Sequence, residues 1–171
     1  MTAVSTQGEK DKVKAESAWV AEGHGGDQFS VLSGCAVTTS KIKLGTAISS
    51  VFVRSAPTIA MAAATVDQLS GGRFILGLGS SHRVQVVPEH GIEFGKPMLR
   101  VRETVHVIRK LLEKGSVNFN GETIKIENFD FSSRALNIFK ELNIKYLGDL
   151  VSGIDKYQIL SIPSSGKKTL G

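Results

Sequence analysis

The chain has 171 residues, 41% of them hydrophobic and 22% charged, a composition that fits one medium or two small globular domains. Its net charge of +5 is spread thinly, with 15 basic against 12 acidic side chains in the first 128 residues and 6 against 4 in the rest, so contact with phosphate is permitted but not demanded. No apolar run nears the roughly 18–20 residues that span a bilayer, residues 1–16 lack the apolar core of a secretory signal, and the single cysteine, Cys35, excludes an intrachain disulfide.

The expectation is a cytoplasmic protein with a charged, flexible leader over residues 1–16 and a thiol at Cys35 packed among small neighbours. Residues 17–21, with Trp19 and Val20, suit a first strand. Asp27 is placed to cap a helix that begins near Gln28 and carries Phe29, Leu32 and Ala36 on one face. Residues 41–48, KIKLGTAI, read as a second strand. Pro57 then opens an alanine-rich helix at its first turn, where a missing N–H costs nothing, and Ser70-Gly71-Gly72 stops it. Residues 73–79, RFILGLG, form an unbroken apolar run, as expected of a parallel strand buried on both faces.

A longer helix is expected over residues 97–114, with Val101, Val105, Ile108 and Leu112 in one stripe and Arg102, His106, Arg109 and Lys110 on the other side. Gly115 ends it, and VNFNGETIKI reads as a hairpin on Asn120-Gly121. Alternating strands and helices are the grammar of a parallel α/β sheet, open or closed, whose edge strands would need cover, for example by a second copy of the protein. After Phe129 the text changes to short helical stretches, 134–142, 146–151 and 155–162, with tight glycine-containing connections, a style common in nucleic-acid-binding modules.

Candidate chemistry is concentrated at strand ends. Glu22 and His24 lie just past the first strand, where a carboxylate and an imidazole can exchange protons with a ligand. Gly79, Ser80 and Ser81 end the third strand with bare backbone and hydroxyls, which suit the approach of a phosphate or a ring. The cluster is not a dinucleotide fingerprint, because His82 stands where the third glycine should be. His82, His90 and His106 have no metal-ligand spacing, and no metal site is expected.

The string WVAEGHGGD, KIKLGTAI, PTIAMAAATVDQLSGGRFILGLGSS, FGKPMLRVRETVHVIRKLL and VNFNGETI resembles the luciferase-like monooxygenase family, and within it the branch that uses the deazaflavin F420. The resemblance implies that residues 17–128 are part of a (β/α)8 TIM barrel, with F420 or FMN bound at the C-terminal strand ends and hydride transfer or oxygenation as the chemistry. It implies catalytic roles for Glu22 and His24, and cofactor contacts at Thr46, Ala47, Ile48, Gly79 and Ser80, with a non-proline cis peptide between Ala47 and Ile48. His82 replaces a glutamate that some members carry nearby. The family's first strand and its later strands have no counterpart in the string, so the protein by itself is expected to be an incomplete barrel and inactive.

FSSRALNIFKELNIKYLGDLV and LSIPSSGKKTLG, within residues 129–171, resemble the C-terminal domain of the bacterial RNA polymerase alpha subunit. That resemblance implies a small all-α, helix-hairpin-helix-like module that sits on the minor groove of A·T-rich DNA and meets the polymerase and its activators. Arg134, Asn137, Gly166, Lys168 and Thr169 match its DNA contacts, whereas Ser164 departs from the usual asparagine. Three readings stand at this point: an oxidoreductase fragment with a DNA-binding-like tail, a transcription module with an inert α/β body, or a chimeric fragment without function.

Overall fold

The structure, a computed structural model, describes residues 15–131. In sequence order it comprises β1 (Ser17–Val20), α1 (Gln28–Thr38), β2 (Lys43–Thr46), β3 (Ser49–Ser50), α2 (Ala56–Ser70), β4 (Phe74–Ile75), β5 (Leu78–Gly79), α3 (Arg83–His90), α4 (Pro97–Lys114), β6 (Ser116–Asn120) and β7 (Lys125–Asp130). β1, β2 and β4 form a parallel sheet in that order, in the register Trp19↔Gly45↔Ile75. β3 and β5 pair in parallel, Ser49 with Leu78, while β6 and β7 form an antiparallel hairpin.

Local signals set most of these elements. Asp27 accepts from the Ser30 N–H at 2.8 Å and caps α1. The Ser55 hydroxyl does the same for α2, and Gly71, with φ 66°, ends that helix in the left-handed region. The helical layer and one face of the sheet share a core of Phe29, Leu32, Leu44, Ile59, Val66 and Val107, with Cys35 partly buried against it. A second cluster of Val51, Phe52 and Val86 lies beneath α3.

Several expectations need correction. The strands expected over residues 41–48 and 73–79 are each interrupted, at Ala47–Ile48 and at Leu76–Gly77. The Thr46 hydroxyl explains the second break, because it accepts the Gly77 N–H at 2.8 Å in place of a ladder carbonyl; it also donates at 2.8 Å to the Gly77 carbonyl, which accepts the Ser49 N–H as well. The third strand is also not buried on both faces. Ile75 is 40% exposed, because on the face away from the helices its register neighbours are Gly45 and the half-exposed Trp19. α3 has no counterpart among the expected elements: Pro88 lies inside it, where a proline normally marks the end of a helix.

The buried face of α4 is Glu103, Thr104, Val107, Ile108 and Leu111, whereas Leu112 of the expected stripe is 51% exposed. The helix is turned to bring Glu103 under the hairpin. Its carboxylate accepts from the N–H groups of Glu122, Thr123 and Ile124 at 2.9–3.0 Å and from the Thr123 hydroxyl at 2.6 Å. The hairpin loop is therefore the four residues between Asn120 and Lys125, rather than a two-residue Asn-Gly turn. Gly121 is required there, because a Cβ would lie 2.6 Å from the Glu103 carboxylate. β7 runs through Asn128, where the sequence changes style, and Phe129 and Phe131 pack on the same core as α4.

Arg73 explains why SGGRF is followed by a strand. Its guanidinium donates to the carbonyls of Ala36, Thr39, Ile42 and Ser70 and to the Thr39 hydroxyl, over 2.6–3.1 Å. It thus caps the C-terminus of α1 and ties it to the entry of β2 and the exit of α2.

Candidate functional site

The parallel strands point the same way, so the loops after β1, β3 and β5 meet at one end. They enclose a hollow of about 320 Å³ lined by residues including Glu22, His24, Arg54, Ser81, Gln85 and His90. A larger hollow, about 580 Å³, lies at the opposite end, against Glu16, Trp19, Lys41, Lys43 and Ile75. The smaller one is the better candidate on physical grounds. Ligands of parallel α/β folds bind at the carboxyl ends of the strands, and this end gathers the imidazoles, hydroxyls and ion pairs.

Glu22 lies at the floor of the hollow with both oxygens engaged. One accepts from Arg54 Nε at 2.7 Å; the other accepts from the Ser50 N–H at 3.1 Å and the Ser49 hydroxyl at 3.3 Å. Arg54 also pairs with Asp27 and lies over the Phe29 ring at 5.2 Å. The hydrogen bond from Arg54, reinforced by the cap contacts from Ser30, lowers the Asp27 carboxyl to about 2 despite partial burial. Burial opposes the charge on Arg54, but Asp27 and Glu22 outweigh it and raise the pKa of the guanidinium.

His24 stands at the rim, with its side chain 80% exposed and Nε2 3.0 Å from Glu89 Oε2. That contact joins the loop after β1 to α3. Thr46 is buried and occupied with Gly77. The peptide bond between Ala47 and Ile48 is cis. Ala47 is exposed, while Ile48 lies against Gly79, where a Cβ would come within 2.9 Å of Ile48 Cγ1. Gly79 is therefore bare so that the two strand ends can approach. The half-buried Ser80 donates to the Ser81 carbonyl at 3.2 Å. The hollow thus gathers Glu22 and His24, with Ser81 in place of its neighbours Gly79 and Ser80 in the lining. Arg134, Asn137, Gly166, Lys168 and Thr169, with the all-α module expected around them, lie outside the described residues.

Two residues at this end escape a reading of the sequence. Arg54 leaves a faint signal, a lone cation between the apolar VFV and a helix cap. Gln28 leaves none, since a glutamine in a first helical turn reads as solvated, yet it is fully buried. Among the described residues no cluster of three or more His, Cys, Asp or Glu could hold a metal ion, and no helix is long and apolar enough to cross a membrane.

Residues 9–138 match the family model described as luciferase-like monooxygenase, and residues 117–171 match that of the C-terminal domain of the bacterial RNA polymerase alpha subunit. The 5,10-methylenetetrahydromethanopterin reductase of Archaeoglobus fulgidus is 37% identical over 97 residues, 57% of this chain and 29% of that protein. The solved coenzyme F420-dependent tetrahydromethanopterin reductase of Methanopyrus kandleri superposes with a TM-score of 0.61 at 30% identity, covering 69% of this chain and 38% of that one. The oxygenating constituent of 3,6-diketocamphane monooxygenase from Pseudomonas putida, solved with FMN, shares the fold, with a TM-score of 0.64 at 17% identity over 76% of this chain and 39% of that one. The protein spans 29% to 39% of the length of the curated relatives it matches.

Proposed function

Because the chain belongs to the luciferase-like monooxygenase family, we propose that the hollow at its strand ends is part of a site for coenzyme F420 or FMN in an oxidoreductase. The observation that carries this reading is the convergence of three parallel strand ends on one hollow lined by Glu22, His24, Arg54 and Ser81. The relatives named above, a coenzyme F420-dependent reductase and a monooxygenase solved with FMN, support the choice of cofactor.

The lining fits the polar edge of such a ring. His24, Ser81, Gln85 and His90 offer donors and acceptors, and a Cβ added at Gly23 or Gly25 would meet nothing within 4 Å, so the loop after β1 leaves open space beside them. When bound, a deazaflavin or flavin supplies the hydride chemistry, and FMN also supplies oxygen activation. The protein's part is to orient the ring and manage protons. His24, exposed at the rim, is held by Glu89 through Nε2 with its other nitrogen left for a ligand. Glu22 holds Arg54 and the end of β3, which fixes the floor.

Binding is tested by titrating the full-length protein with F420 and with FMN and following cofactor fluorescence, beside a thermal melt that establishes cooperative folding. Saturable binding, weakened in His24→Ala, is expected for at least one cofactor. A cooperatively folded protein that binds neither would refute the reading.

A second reading rests on the match over residues 117–171. In it, Arg134, Asn137, Gly166, Lys168 and Thr169 hold the minor groove of A·T-rich DNA, and the same module meets RNA polymerase. Its signature is salt-dependent binding to an A·T-rich duplex that Arg134→Ala removes.

A further inference from the structure

Gln28 is the first residue of α1, fully buried, and its amide nitrogen donates twice. One bond, at 2.7 Å, goes to the Val20 carbonyl at the end of β1, and the other, at 3.2 Å, to the Ile48 carbonyl between β2 and β3. These two bonds fix the orientation of the amide, since a flipped amide would set its oxygen against two carbonyl oxygens. Gln28 Oε1 then remains buried with no hydrogen-bond partner. An arrangement with an orphaned acceptor is costly, so the donor side carries the reason for it.

The Val20 carbonyl already accepts the Ala47 N–H at 2.9 Å, as a ladder bond. Ile48 is different. β1 ends at Val20, so no residue of that strand reaches Ile48, while the next residue, Ser49, turns its N–H to the Gly77 carbonyl at 2.8 Å. The Gln28 amide stands in for the missing strand. The same stretch then runs into Ser49 and Ser50, which hold Glu22. Glu22 holds Arg54, and Arg54 holds Asp27, the neighbour of Gln28. Two adjacent residues at the start of α1 thus clamp both ends of the 48–54 segment.

We propose that Gln28 is a positioning residue for the hollow: by holding the Ile48 carbonyl it sets the backbone from Ile48 to Ser50, and through it the Glu22–Arg54 floor on which a ligand rests. This rests on the cofactor reading above. The clamp itself does not, and the two are measured separately.

Gln28→Met fills the same space without a donor. Amide hydrogen exchange at Ser49, Ser50 and Val51 is expected to quicken by about tenfold or more, while amides of α2 around Ile59 and Ala60 stay as in the parent. In the same variant the Kd for F420 or FMN, whichever the parent binds, is expected to rise by about tenfold or more. Gln28→Leu replaces it if the Met variant does not melt cooperatively. Faster exchange at Ser49–Val51 with weakened cofactor binding upholds the proposal. Unchanged exchange there overturns the clamp. Faster exchange with an unchanged Kd overturns the positioning role and leaves the cofactor reading standing. A parent that binds neither cofactor sinks both, although the exchange result would still report the clamp.

Discussion

Removing the Glu103 carboxylate should release the hairpin from α4. The side chain is 9% exposed and accepts four hydrogen bonds, three of them from consecutive backbone N–H groups of the loop, Glu122, Thr123 and Ile124. Burial pushes its pKa up, but the Thr123 hydroxyl and the N–H groups of Thr123 and Ile124, with Arg100 nearby, outweigh that and lower it. In Glu103→Ala four donors lose their acceptor, three of them backbone N–H groups. A buried donor left unpaired costs about 1–3 kcal/mol, and water reaching the vacated space recovers part of this, so about 3–5 kcal/mol of destabilisation is expected. Glu103→Gln keeps the shape, and its oxygen can serve the three bonds made by Oε2, but its NH₂ then faces the Glu122 N–H, donor against donor. About 2 kcal/mol is expected for it. Urea unfolding followed by circular dichroism reads both: the midpoint should fall, more for Ala than for Gln, with the slope unchanged. A loss below about 1 kcal/mol in Glu103→Ala would refute the idea that this carboxylate holds the loop.

Arg73→Lys should be far from conservative, because an ammonium cannot serve four carbonyls and a hydroxyl spread around a planar fork. A drop of about 2–4 kcal/mol is expected by the same unfolding assay, and a value within about 0.5 kcal/mol of the parent would contradict the capping role. The depressed Asp27 carboxyl makes a signed prediction. Its contribution is full above the unfolded-state value near 4 and is lost as pH falls towards about 2. Melting temperature should therefore fall through that window, and less steeply in Asp27→Asn, which can still cap α1 but cannot pair as an anion with Arg54. Equal slopes for the two proteins would argue against the ion pair.

The short-range features were legible in the sequence. The cap at Asp27, the helix opening at Pro57, stops at Gly71 and Gly115, and the buried stripe of α1 depend on a residue and its next few neighbours, and the structure keeps each of them. The parallel neighbours β2 and β4 were legible too, from apolar runs separated by an alanine-rich helix. The motif spanning Lys96, Arg100 and Glu103 was visible as a pattern, but its work was not. Arg100 donates to the carbonyls of Val51 and Thr123, Lys96 pairs with Glu122, and Glu103 takes up the loop, all between residues far apart in sequence.

Only the tertiary structure decided those long-range pairings. Glu22 reads as a free loop acid until Arg54, 32 residues later, is brought against both Glu22 and Asp27. Gln28 reads as a solvated polar residue until β1 stops short of Ile48 and leaves a carbonyl for it. The break at Leu76–Gly77 depends on Thr46 meeting Gly77 across the sheet, a contact between residues 31 apart. Propensity and periodicity are summed over neighbouring residues, whereas a buried polar group finds its partner only when separate segments are packed together. The sequence therefore determined the bounds of α1, α2, α4 and the first strand to within a few residues, whereas the packing decided the strand breaks, and also which polar side chains are structural ties and which face the hollow.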